Sequence, residues 1–172
     1  MSVVVCKINK DNIEVAADSI CVKGWSKIPT STTRHVKLMK CNDIIIGGCG
    51  LAEETSLFFH YLKTHLIDEA ATESDILDFI TEFKKWKGNY TSPTFENSYI
   101  IAYKGKAFLI DGLFVTEIFD SCAIGAGQDY ANGALYMGAT AKEAVEAACS
   151  LCAMVAEPII IEKIPKENKK DE

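Results

Sequence analysis

Ser2-Val3-Val4-Val5-Cys6-Lys7-Ile8, then Asn9-Lys10-Asp11-Asn12, then Ile13-Glu14-Val15-Ala16-Ala17-Asp18 reads as a strand, a turn and a returning strand. Three β-branched valines stand together, which suits a pleated and buried segment. The Asn/Asp cluster supplies short side chains that bond to their own backbone in turns. The chain therefore opens on a β-hairpin whose first residue after Met1 is a serine and whose last is an aspartate.

Beyond Asp18, the segment Ser19–Thr33 reads as a short strand and then a loop, with Gly24, Pro29 and a Ser/Thr-rich run. His35–Lys40 and Asp43–Gly47 read as two further strands joined at Cys41-Asn42-Asp43. Gly47-Gly48-Cys49-Gly50 ends the second of these, and Leu51, Thr55, Phe58, Leu62 and Leu66 then recur at helical spacing. Thr72 or Ser74 caps a second helix, in which Ile76, Ile80, Phe83 and Lys87 share one stripe. Ser98–Tyr103 and Lys106–Ile110 form a hairpin, followed by strands at Leu113–Phe119 and Ser121–Ile124. Gly125-Ala126-Gly127 leads into a helix from Asp129 to Met137. Thr140 and Glu143 make a capping box for a helix to about Ala153, and Ile159–Ile164 is a last strand after Pro158. Blocks of strands and blocks of helices argue for α+β with two antiparallel sheets and helices outside them. One domain spans residues 1–164, and 165–172 is a charged, flexible tail.

At 172 residues, 48% hydrophobic and 24% charged, the chain can bury a sizeable core. No apolar run approaches the ~18–20 residues of a membrane span, and the start lacks the layout of a signal peptide. A cytoplasmic protein with no membrane contact is the expectation. The net charge of −6, from 18 basic and 24 acidic side chains, disfavours nucleic acid. Seven cysteines, an odd number, read as reduced and mostly buried thiols. Gly47-Gly48-Cys49-Gly50 and Gly125-Ala126-Gly127 lack the spacing and the Lys-Ser/Thr of phosphate loops. Cys149-Ser150-Leu151-Cys152 has no second ligand pair, and His60 and His65 fall on different helix faces, so neither a metal nor a cofactor is expected. No G-x-S-x-G elbow or local Cys-His signature is present.

Position 2 is the exception. Serine is small enough for the initiator methionine to be removed, and the sequence begins directly at Met1-Ser2, with no propeptide expected. The processed chain would then carry an α-amino group beside a hydroxyl. That amine titrates near ~8 and can serve as the hydroxyl's base without a histidine.

Val15-Ala16-Ala17-Asp18-Ser19, the Gly47–Gly50 turn into a helix, Ala123-Ile124-Gly125-Ala126-Gly127 before a Tyr-Ala helix, and Thr140-Ala141-Lys142-Glu143-Ala144 occur in this order. Together they resemble proteasome β subunits and HslV-type peptidases, over about Ser2 to Ile164. The resemblance implies the N-terminal-nucleophile hydrolase fold, a four-layer α-β-β-α sandwich. It also implies a self-assembled homo-oligomeric ring, peptide or unfolded-protein substrates, and an ATP-dependent unfoldase as partner. Ser2 falls on the nucleophile, Asp18 on the acidic residue near it, and Gly50 on the backbone donor of the oxyanion hole. The family's lysine falls on His35. Lys37 lies two residues on, ~6–7 Å further along a strand, and is expected to substitute only if the register slips. Ala126 stands where the family has a serine, and Met154 near its late acidic residue. Two functions follow from the resemblance: an N-terminal-serine peptidase, and an inactive proteasome-like subunit that builds a ring or binds a partner.

Overall fold

The computed structural model describes residues 1–28, 31, 35–65, 67 and 71–166. Its opening hairpin is β1 (Val3–Ile8) and β2 (Asn12–Ala17), paired antiparallel with Val4 opposite Ala17 and Ile8 opposite Ile13. Between β2 and the next sheet, β3 (Cys21–Lys23) and β4 (Ser26–Ile28) make a small separate hairpin turning at Gly24-Trp25. A single short strand was expected there. Positive φ at Gly24 closes a tight turn and lets the chain pair with itself. The loop expected at 29–30 and 32–34 lies outside the described residues.

The second sheet starts at β5 (Leu38–Cys41) and β6 (Ile44–Cys49), which flank Asn42 at φ 53. The strand expected from His35 begins only at Leu38, so His35, Val36 and Lys37 lie before it, outside any regular strand. Helices α1 (Ala52–Leu62) and α2 (Glu73–Lys87) follow. Helix α1 ends before the expected Leu66, which lies outside the described residues. Thr72, not Ser74, caps α2, in a reciprocal box with Asp75. Strands β7 (Ser98–Tyr103), β8 (Lys106–Asp111) and β9 (Phe114–Ile118) complete a sheet of order β5-β6-β7-β8-β9. β10 (Ser121–Gly125) crosses back to pair with β1. Helix α3 (Gln128–Tyr136) and helix α4 (Ala141–Leu151, capped by Thr140 and Glu143) precede β11 (Ile160–Pro165). The first sheet then reads β10-β1-β2-β11. Pro165, assigned from sequence to a loose tail, pairs with Asn12, and the Lys166 N–H donates to the Asp11 carbonyl. The rest of that tail, 167–172, lies outside the described residues.

Strand alternation turns these elements into four layers. Val4, Cys6, Val15 and Ala17 of the first sheet face Leu38, Ile45, Ile100 and Ala102 of the second. The other face of β1, Val3 and Val5, packs on Ala131, Leu135, Ala144, Val145 and Ala148 of α3 and α4. The outer face of the second sheet, Ile46, Tyr99 and Ile101, packs on Phe58, Ile76, Ile80 and Phe83 of α1 and α2. Apolar residues on both faces of β1 explain why its sequence is an unbroken valine run rather than an alternation. The α-β-β-α sandwich read from the sequence is the observed fold. The cysteines are all free thiols, but only Cys6 and Cys49 are buried. The others are partly exposed, and Cys122, Cys149 and Cys152 pack against the core clusters from there.

Phe58 is fully buried and meets Phe83 and Tyr99 with ring centroids 4.6 Å away in each case. Phe58→Ala is expected to lower stability by about 3–5 kcal/mol in urea denaturation. A loss below about 1 kcal/mol would place α1 outside the core.

Candidate active site

One end of the two sheets opens into a cleft of about 200 Å³ lined by Met1, Ser2, Ile20, Cys21, Val22, His35, Lys37, Gly50, Leu51 and Ala52. All but one of the residues singled out from the sequence line it. Asp18 is the exception, fully buried behind the cleft wall.

Asp18 is fixed by the turn out of β2. Its Oδ1 accepts from the Val3 N–H at 2.8 Å, and its Oδ2 from the Ile20 N–H at 3.1 Å and the Ala156 N–H at 3.4 Å. Lys37 Nζ stands 2.8 Å from both carboxylate oxygens, with side-chain exposures of 3% and 0% for lysine and aspartate. No register slip is needed to bring Lys37 here. Leu38 pairs with Gly47, and continuing that ladder by one residue sets Lys37 opposite Gly48, whose N–H donates to the Lys37 carbonyl at 3.0 Å. Of the two side chains offered by the sequence, Lys37 is the one paired with Asp18. His35 is half-buried at the cleft wall and makes no contact to Asp18 or Ser2 among the described hydrogen bonds. Burial lowers the imidazole's pKa, Lys37 lowers it further, and Asp18 opposes both. His35 is therefore neutral at pH 7.

Ser2 is buried under Met1, and its hydroxyl donates to the Met1 carbonyl. Lys37 Nζ lies 3.4 Å from the same carbonyl oxygen. The Ser2 backbone is clasped by the turn after β10. Its carbonyl accepts from the Gly127 N–H at 3.3 Å. Gly125 has φ +95, and a Cβ there would stand 2.4 Å from the Ser2 carbonyl oxygen and 2.7 Å from Cys49 Sγ. Only glycine lets that turn close on Ser2. Cys49 sits beside the Ser2 hydroxyl, with its thiol pushed up to about 12, mainly by burial. It stays protonated at neutral pH and does not compete as a nucleophile.

Gly50 closes the opposite wall. Its φ of +136 suits only glycine, and its N–H donates to no group among the described residues. It is an unused backbone donor at the strand-to-helix turn. Sequence reading missed what lies beside it. Asn97 Oδ1 accepts from the Leu51 N–H at 2.6 Å, Glu54 bonds the Asn97 N–H at 2.9 Å, and Lys87 pairs with Glu54 at 2.5 Å. One signal was present: a lysine on the apolar stripe of α2 implies a buried partner.

The chemistry the arrangement allows is narrow. Ser2, the Asp18-bound Lys37 and Gly50, whose N–H has no partner among the described residues, line one small cleft. Among the described residues no group of three or more His, Cys, Asp or Glu is placed to hold a metal ion.

No protein-family model matches the sequence, and no curated protein matches it. Solved structures do. "Thiobacillus denitrificans BPH in complex with Epoxomicin" superposes with a TM-score of 0.86 at 18% identity, covering 96% of this chain and 100% of that one. A second structure, "Thiobacillus denitrificans BPH", gives 0.85 at 18% identity, over 95% of this chain and 98% of that one. Eukaryotic HslV from Trypanosoma brucei gives 0.72 at 19% identity, over 95% and 99%. The chain thus has the HslV-type, proteasome-like fold over nearly its full length, as the sequence resemblance implied.

Two results are expected from the geometry. Lys37→Met leaves Asp18 buried without its cation and costs about 3–5 kcal/mol. The double variant with Asp18→Asn loses less than the sum, a coupling of about 1 kcal/mol or more in a urea double-mutant cycle. An additive cycle would mean that the pair is not formed. For His35 the folded-state pKa lies below the unfolded one. Stability is therefore undiminished above pH ~6.5 and falls as acidification passes through that value toward the lower folded one. His35→Gln is expected to flatten that part of the stability–pH curve, and an unchanged slope would contradict the assignment.

Proposed function

We propose that this protein is an N-terminal-nucleophile hydrolase that cleaves peptide bonds with Ser2 once Met1 has been removed. The observation that carries the reading is the buried Lys37–Asp18 pair, whose lysine shares the Met1 carbonyl with the Ser2 hydroxyl, in a cleft also lined by Gly50, whose N–H has no partner among the described residues. In the chain that keeps Met1, the Ser2 nitrogen is an amide and cannot accept a proton. Removing Met1 turns that nitrogen into an amine and opens the cleft.

The steps follow from the positions. The Ser2 hydroxyl oxygen adds to the substrate carbonyl carbon while its proton passes to the α-amine. Lys37 disfavours the ammonium form, which keeps the amine a base near neutral pH. The negative oxygen of the tetrahedral adduct takes the Gly50 N–H. The C–N bond then breaks, the departing nitrogen takes the proton from the Ser2 ammonium, and an ester on Ser2 remains. Water, deprotonated by the same amine, hydrolyses it. Asp18 holds Lys37 in place and balances its charge. His35, neutral and at the wall, borders the substrate and does not replace the lysine.

A groove of about 460 Å³ shares Met1, Ile20 and Val22 with the cleft and adds Trp25, Lys27, Ala153 and Met154. An extended peptide can run through both, which supports peptides over compact small molecules. Assembly into a homo-oligomeric ring, and feeding of unfolded protein by an ATP-dependent unfoldase, belong to the same proposal. The large exposed apolar side chains Trp25, Phe119, Tyr136 and Met137 support burial against further copies. A cytoplasmic site of action is part of the reading. No helix among the described residues is long and apolar enough to cross a membrane.

A second reading is an inert ring subunit on the same scaffold. The observation that favours it is the Gly125-Ala126-Gly127 clasp around Ser2, which brings no hydroxyl to relay a proton.

Intact mass and turnover decide between the two. Chains that begin at Ser2 are expected to hydrolyse fluorogenic peptides or casein, and Ser2→Ala is expected to lose at least about 10³-fold in kcat/KM. Processed wild-type chains without turnover would support the inert subunit.

A further inference from the structure

The proposed reaction leaves one buried polar knot unused. Glu54, Lys87 and Asn97 are 1%, 4% and 1% exposed. Lys87 Nζ bonds Glu54 Oε2 at 2.5 Å and also the Thr94 carbonyl. Glu54 in turn accepts from the Glu96 N–H at 3.3 Å, the Asn97 N–H at 2.9 Å and the Tyr99 hydroxyl at 3.4 Å. Burying a lysine and a glutamate costs free energy that apolar packing between α1 and α2 would not. A fully bonded knot is worth that cost where it sets one backbone geometry.

The geometry it sets is that of Leu51. The Leu51 N–H can only donate, so Asn97 presents Oδ1 to it, at 2.6 Å. Asn97 Nδ2 then faces the Leu51 carbonyl at 2.9 Å, Thr55 Oγ1 at 3.0 Å and the Tyr99 hydroxyl at 3.1 Å. Both peptide groups that flank Leu51 are therefore held by one side chain. That side chain also fills the space beside Gly50, where a Cβ would lie 2.0 Å from Asn97 Oδ1. On the other side of Gly50, Cys49 is held in the ladder opposite Ser98. A glycine at φ +136 is free to swing its N–H unless both neighbouring peptides are fixed.

We propose that Asn97 is a positioning residue: it locks the Gly50–Leu51 peptide so that the Gly50 N–H stays aimed into the cleft, with the Glu54–Lys87 pair anchoring Asn97. The inference rests on the hydrolase reading, because it assigns the locked N–H to the oxyanion. It goes further in naming three residues, from α1, α2 and the segment before β7, that act on the reaction without touching substrate. A knot that merely ties α1 to α2 would affect stability and leave the reaction parameters alone.

The test compares processed, full-length wild type with Asn97→Ala and with Phe83→Leu, a packing loss in the same layer that makes no hydrogen bond to the knot. Asn97→Ala is expected to lower kcat for a peptide amide about 10–100-fold with KM changed less than about 2-fold, since a donor to the oxyanion acts mainly in the transition state. Phe83→Leu is expected to change kcat less than about 2-fold. Amide hydrogen exchange at Leu51 is expected to speed up at least about 10-fold in Asn97→Ala alone, with Ile46 and Ile100 still protected. Should Asn97→Ala not fold, Glu54→Gln replaces it and is expected to move kcat and Leu51 exchange in the same directions by less. Unchanged kcat, or a kcat loss no larger than that of Phe83→Leu, overturns the proposal. If wild type shows no turnover, the hydrolase reading has failed. Leu51 exchange then judges the lock alone: faster exchange only in the knot variants upholds it, and unchanged exchange refutes it.

Discussion

A lysine and an aspartate, 3% and 0% exposed, tie the two sheets together at the end that opens into the cleft. Desolvating this pair is costly, and its attraction offsets the cost only because every remaining polar site is also filled. Asp18 accepts three backbone N–H groups besides Lys37, from Val3, Ile20 and Ala156. Those donors come from the first strand, from the turn after the second, and from the chain entering the last. One carboxylate thus gathers the ends of the first sheet, and Lys37 ties that gathering to the second sheet. The cleft, the buried Ser2 and the clasp of Gly125 and Gly127 are arranged around this junction.

The layers were legible because they obey simple periodicities. Val3, Val4 and Val5 announced a strand, and the structure covers it on both faces. Thr140 and Glu143 announced α4, and Ile76, Ile80 and Phe83 marked the buried face of α2. The chain from His35 to Lys37 is different: it belongs to no helix or regular strand, so spacing offered both His35 and Lys37 without choosing between them. The β5–β6 ladder places Lys37, because Leu38 opposite Gly47 carries Lys37 to Gly48. Such pairing is a long-range property that local spacing does not encode. Asn97 was invisible for the same reason. Its partners are Leu51 and Thr55, more than forty positions away in sequence. Lys87 was the exception, a charge on an apolar stripe whose partner only the fold could name.

Charge and size divide the labour in the cleft. Cys49 is the more nucleophilic atom type, yet burial keeps it a thiol, while the small Ser2 hydroxyl lies against Lys37's sphere of influence. Met1 is a cap on this arrangement: its carbonyl takes both the hydroxyl and the lysine while it remains. In the proposed reaction the functional state is a covalent property of the chain, set by the loss of one residue from a fold that is otherwise complete.

The central claim is that hydroxyl and amine act together on Ser2. A peptide epoxyketone reads both at once, because its ketone takes a hydroxyl and its epoxide is opened by a neighbouring amine to close a ring. The measurement is intact mass, with peptide mapping, after incubation of processed chains with that reagent. The account predicts a gain of the whole reagent mass on Ser2, absent from chains that retain Met1 and from Lys37→Met. Processed chains that stay unmodified, or carry the reagent on a cysteine, would contradict it.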